Sequence, residues 1–138
     1  MAGYSPSSQA RKLGIKPGLL VLLDSAPPGW RFDEPTDGIE VVTDAASADI
    51  VLAFASEAAG IRSRIEDLRE RIFPAGALWI AWPRKAAGHV SDVDENLIRN
   101  TALELGLVDV KVAALTEDWS ALKLVWRVEN RTRLAGET

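Results

Sequence analysis

The sequence predicts a three-layer α/β sandwich: a mostly parallel sheet of about six strands that ends in an antiparallel hairpin. Three observations predict it. The runs LLVLL at residues 19–23 and DIVLAFA at 49–55 are nearly unbroken aliphatic stretches, as strands buried on both faces require. Between strands, apolar residues recur at helical spacing, the alternation from which layered α/β domains are built. Near the C-terminal end, residues 108–114 and 122–128 largely alternate apolar with polar or small side chains, the signature of antiparallel strands.

Each element follows from its own residues. Residues 5–14 predict a short helix, with Ser5 as cap, Pro6 in the first turn and Gly14 as its end. Lys16, Pro17 and Gly18 break the chain before the first strand, 19–23. Residues 24–38 hold three prolines and two glycines, so a helix is not expected there. The first crossover should therefore be a loop leading to a short edge strand at 39–43. After the strand at 49–55 comes a helix over 57–72, in which Ile61, Ile65, Leu68 and Ile72 form one apolar stripe. Arg62, Glu66, Arg69 and Glu70 are left toward water. Residues 74–76 turn the chain into the next strand, 77–82. Ser91 or Asp94 caps a helix running to Leu105 with Val93, Leu97, Ile98 and Leu105 inward, and Gly106 is a left-handed stop. The hairpin strands are joined by 117–120, and a polar tail occupies 129–138.

Bulk properties narrow the function. A chain of 138 residues suits one domain, taken here as 1–138, with a core large enough to need no staples. The net charge of −4 argues against non-specific nucleic-acid binding. With no cysteine, disulfides, thiolate catalysis and cysteine-ligated metal sites are excluded. No apolar run reaches the roughly 20 residues of a membrane span. The first residues lack a signal core, so a cytoplasmic location is expected.

The order of elements resembles the later part of the S-adenosylmethionine-dependent methyltransferase fold. There a strand beginning D-[IV]-[VI] precedes a helix, a pGG-x-L-W-[IV] strand follows, a helix ends in G-[LF], and a terminal hairpin inserts an antiparallel strand. The counterparts are 49–55, 74–82, 94–107 and 108–128. More narrowly, the chain resembles a family of small bacterial proteins of unknown function. The matching segments are Gly3-Tyr4-Ser5, residues 13–18, 77–85 and 106–112, together with Trp119, Ser120, Leu122 and Lys123. The first resemblance implies a Rossmann-like sheet; the second brings no activity with it.

The residues themselves argue against methyl transfer. A nucleotide-like cofactor needs a glycine-lined turn after the first strand and a following helix N-terminus. Here the turn is Asp24-Ser-Ala-Pro-Pro-Gly29, with one glycine and two prolines. No cofactor is therefore expected, and S-adenosylmethionine is the disfavoured alternative. Asp44, just past the second strand, suits a surface or capping role better than a ribose contact. The only histidine, His89, reads as an exposed loop residue rather than part of a triad. Asp92, Asp94 and Glu95 read as helix-start acids rather than metal ligands. No phosphate loop is present.

In open α/β sheets, ligands gather beyond the carboxyl ends of the strands, where neighbouring crossovers diverge. That crevice should lie between the strands 19–23 and 49–55. Asp24, Ser25, Trp30, Ser56, Glu57, Trp82, Arg84 and Lys85 are the residues able to reach it. Arg84 and Lys85 suit a small anion, and Trp30 and Trp82 suit a stacking wall. The simpler account of this stretch is that Trp82 fills core and two cations keep a loop soluble. Trp119 reads as a packing residue at the hairpin tip, and Trp79 and Trp126 as core and hairpin-face residues. Three functional readings follow: a non-catalytic binding or interaction module for a small anionic ligand or protein partner, an enzyme with a non-standard cofactor loop, and a structural subunit of an oligomer.

Overall fold

A computed structural model describes residues 9–32 and 38–132. The expected capping by Ser5 and Pro6, residues 33–37 of the first crossover, and residues 133–138 of the tail lie outside the described residues. A mostly parallel six-stranded sheet forms the centre. Its strands are β1 (Leu20–Asp24), β2 (Glu40–Val42), β3 (Ile50–Phe54), β4 (Ala77–Pro83), β5 (Leu107–Ala114) and β6 (Trp119–Trp126), in the order β2-β1-β3-β4-β6-β5. β1 pairs in parallel with β2 and β3, and β3 in parallel with β4. β6 runs against both β4 and β5 and is inserted between them. One reversed strand in a parallel sheet is what the terminal alternation predicted.

The helices are α1 (Gln9–Leu13), α2 (Ile61–Arg71) and α3 (Glu95–Glu104). Strand alternation sends Val51, Ala53, Leu78, Ile80, Trp82, Leu122 and Leu124 to one face, where they meet Ile61, Ile65 and Leu68 of α2 and Ile98 and Ala102 of α3. Val21, Ile50, Leu52, Phe54, Trp79, Ala81 and Ala121 face the other way. That second face is covered more thinly, by α1, Ile15 and side chains from the first crossover such as Trp30 and Phe32. The crossover without a helix is the cause: none of its described residues is helical. Trp79, fully buried on this face, donates its indole N–H to Leu13 O at 3.1 Å, which ties α1 to the sheet.

Local signals explain most boundaries. Asp94 accepts from Leu97 N at 2.8 Å and so caps α3; Ser91 instead donates to Ser56 O. Gly106 ends α3 at φ 87°, as its position predicted. α2 starts four residues later than the expected 57, behind Gly60 at φ 81°. The hairpin also differs from expectation. β6 begins at Trp119 and ends at Trp126, earlier than the predicted 122–128, because Trp119 and Ser120 find ladder partners on β4, opposite Pro83 and Trp82. Arg69, expected to face water, is partly buried instead. Its Nη1 donates to Leu105 O at 2.6 Å, and its guanidinium lies 5.6 Å from the Trp126 ring.

Candidate functional site

β1, β3 and β4 end side by side, and a cavity of about 550 Å³ opens over those ends. It stands at the point where the chain leaves β1 toward β2 on one side while β3 lies on the other, as the switch-point rule expects. Phe54 from β3, Trp119 from β6, Pro83 from β4 and Pro27 supply apolar wall. Ser25, Ser56, Glu57, Arg64, His89 and Asp118 supply polar groups. The volume falls within the range of small-molecule sites.

The walls are fixed by contacts between elements. Phe54 meets Trp119 edge to face at 5.0 Å and Trp30 at 5.2 Å, and Trp30 meets Phe32 at 5.0 Å. Such T-shaped pairs place ring edges against faces, the arrangement the ring quadrupole favours. The segment after β3 is held by the loop before α3: Ala58 N donates to Asp92 Oδ1 at 2.7 Å, and Ser91 Oγ to Ser56 O at 2.8 Å. Across the opening, His89 Nε2 and Asp118 Oδ1 lie 2.8 Å apart, joining the β4–α3 loop to the hairpin tip. Ser25 sits at φ 60°, a left-handed conformation rare for a residue with a Cβ.

Arg64 is the central cation of the site. From α2 its Nη2 reaches Asp24 Oδ2 at 2.5 Å, and its Nη1 donates to Phe54 O at 2.8 Å. The guanidinium thus bridges the ends of β1 and β3 at the crevice. Asp24, expected to face a ligand, is bound to this cation and does not line the cavity.

The other expected site residues divide. Ser25, Ser56 and Glu57 line the cavity. Trp82 does not: in step with Leu78 and Ile80, it points into the core beneath α2 and α3. Trp30 stands behind Phe54 as support and is not part of the lining. The Arg84 amide donates to Asp118 O at 2.8 Å, while its guanidinium lies 3.4 Å from the carbonyls of Thr116 and Glu117. Arg84 therefore braces the hairpin tip. Lys85 is exposed and opens a single 3₁₀ turn, Lys85–Ala87, away from the lining. Neither cation borders the cavity.

Phe54, Arg64, Asp118 and Trp119 line the cavity without being marked for it in the sequence, where His89 too reads only as a loop residue. Arg64 had a weak signal, lying at the flank of the α2 stripe. Asp118 and His89 are 29 positions apart and meet only because β6 pairs with β4. Asp44 stays at the surface, 96% exposed and 4.0 Å from Arg71. Among the described residues no group of three or more His, Asp or Glu side chains could hold a metal ion, and no helix is long and apolar enough to cross a membrane.

The segment after β1 differs from the glycine-lined turn expected of a nucleotide seat. Pro27 and Pro28 have no amide to donate, no described residue of the crossover forms a helix, and Asp24 is engaged by Arg64.

Neither a protein-family model nor a curated protein matches the chain. Solved structures do, in fold. A TehB-like S-adenosylmethionine-dependent methyltransferase from Corynebacterium glutamicum aligns at TM-score 0.59 and 10% identity, over 86% of this chain and 87% of that one. The ribosomal protein L11 methylase of Lactobacillus delbrueckii subsp. bulgaricus aligns at 0.54 and 12%, over 86% and 75%. Magnesium protoporphyrin IX methyltransferase of Synechocystis PCC 6803, with S-adenosylmethionine bound, aligns at 0.52 and 13%, over 80% and 71%. The fold of this chain is methyltransferase-like, and identities this low speak for the fold alone.

Proposed function

We propose that this protein is a binding module on a methyltransferase-like sheet, non-catalytic, which takes a small ligand in the cavity over the ends of β1, β3 and β4. One observation carries the reading. Where such sheets bind a nucleotide through free amides, this chain has two prolines, a left-handed serine and a carboxylate closed onto Arg64. The cavity itself is walled by Phe54 and Trp119, which suits a small ligand better than a cofactor held by backbone amides.

A second reading keeps the cofactor. Likeness to methyltransferases, one of them holding S-adenosylmethionine, together with a cavity over the strand ends, where open α/β sheets take their ligands, supports binding of that molecule by other contacts. Calorimetric titration with S-adenosylmethionine and S-adenosylhomocysteine separates the two. No heat of binding up to millimolar concentration is expected. A micromolar Kd for either, with amide shifts at Asp24, Ser25 and Gly29 in NMR spectra, would replace the first reading by the second.

A further inference from the structure

We infer that the cavity selects a cation, namely a small amine or quaternary ammonium carried on a flat apolar body, rather than the anion that Arg84 and Lys85 suggest in sequence. The inference rests on reading this cavity as the binding site. It starts from which charges face the space. Arg64 borders the cavity, but its guanidinium is already engaged by Asp24 and by Phe54 O. Arg84 is turned to the carbonyls of Thr116 and Glu117, and Lys85 lies off the lining.

Two carboxylates are left. Glu57 borders the cavity with no ion pair among the described residues, and Asp118 has only the neighbouring imidazole of His89 as its ionic partner there. Phe54 and Trp119 share the lining with them. An aromatic face attracts a cation within about 6 Å through its quadrupole, and two carboxylates at the rim add Coulombic attraction that salt screens. Carboxylates bordering the cavity repel a carboxylate or phosphate for the same Coulombic reason. Ser25 and Ser56 add hydroxyls suited to N–H donors.

Three probes with one ring system isolate the charge: tryptamine, the neutral 3-methylindole and the anionic indole-3-acetate. Each is titrated at pH 8, and binding is followed by NMR of the Trp119 indole and the Ser56 and Glu57 amides. Tryptamine is expected to bind about ten-fold more tightly than indole-3-acetate, with 3-methylindole between them. The margin should narrow as salt is raised. Replacing Glu57→Gln and Asp118→Asn together should remove it, since both substitutions keep shape and hydrogen-bonding oxygens.

Binding of indole-3-acetate as tight as that of tryptamine at these resonances would overturn the charge inference and leave the cavity reading standing. So would a tryptamine margin that survives the double substitution. If none of the three probes moves these resonances at millimolar concentration, the reading of the cavity as a ligand site fails, and the inference with it.

Discussion

Trp126 shows how much one side chain can join. Its indole N–H donates to Arg69 O at 2.8 Å, its ring meets Phe73 edge to face at 5.2 Å, and the Arg69 guanidinium lies over it. Arg69 O is in the last turn of α2, where carbonyls have no partner within the helix. A side chain of β6 thus closes the end of a helix 57 residues earlier in the chain. Trp126→Phe keeps a ring against Phe73 but removes the donor and leaves that part-buried carbonyl without it. Stability should fall by about 1–2 kcal/mol, read from the urea midpoint. A change indistinguishable from zero would mean that water replaces the indole there. Arg99 illustrates the opposite case, a charge settled by its neighbours. Hydrogen bonds that its guanidinium donates to Asp109 and then to Glu95 raise its pKa above the ordinary arginine value. A base so raised loses its charge only above that range, so Arg99 stays a cation through neutral and moderately alkaline pH.

At the scale of elements, the end of α2 is finished by the rest of the molecule. Besides Trp126 on Arg69 O, Ala48 N donates to Arg71 O at 2.9 Å and Gly76 N to Ile72 O at 2.8 Å. Gly76 is needed here for closeness. A Cβ on it would stand 2.8 Å from Asp49 O, 3.0 Å from Ile72 O and 3.1 Å from Ala48 O, all backbone atoms that cannot swing aside. Gly76→Ala should therefore push β4 from the start of β3 and cost about 1–3 kcal/mol, the range for overpacking. An unchanged midpoint would show that the turn relaxes freely. The sequence marked Gly76 as a turn without showing this crowding, because the atoms concerned come from two separate segments, 48–49 and the end of α2. The hairpin register was hidden for a related reason. Trp119 and Ser120 look like loop residues until β4 supplies their ladder partners.

For the molecule as a whole, the sheet was legible because burial on two faces writes itself as unbroken aliphatic runs, and the reversed strand because half-burial writes itself as alternation. The location of the cavity followed from topology. Its lining did not, since direction depends on strand parity and on long-range pairing: Trp82 falls on the helix face, and His89 and Asp118 meet only through the β4–β6 ladder. The same layout predicts how stability is distributed. β3 and β4 are central, with β3 buried throughout and β4 buried at all but its last residue. β2 is a three-residue edge strand that pairs only with β1 and buries none of its side chains fully. α1 is one short turn held by the Trp79 and Gln9 side chains, the latter donating to Leu115 O. Amides that open only with global unfolding should lie in β3, β4 and β6, and those of β2 and α1 should exchange through local opening. Native-state hydrogen exchange under increasing denaturant resolves the two classes. β2 amides as slow as those of β4 would mean that the first crossover covers this edge far better than its contacts imply, and that the thin face of the sheet is as firmly closed as the helical one.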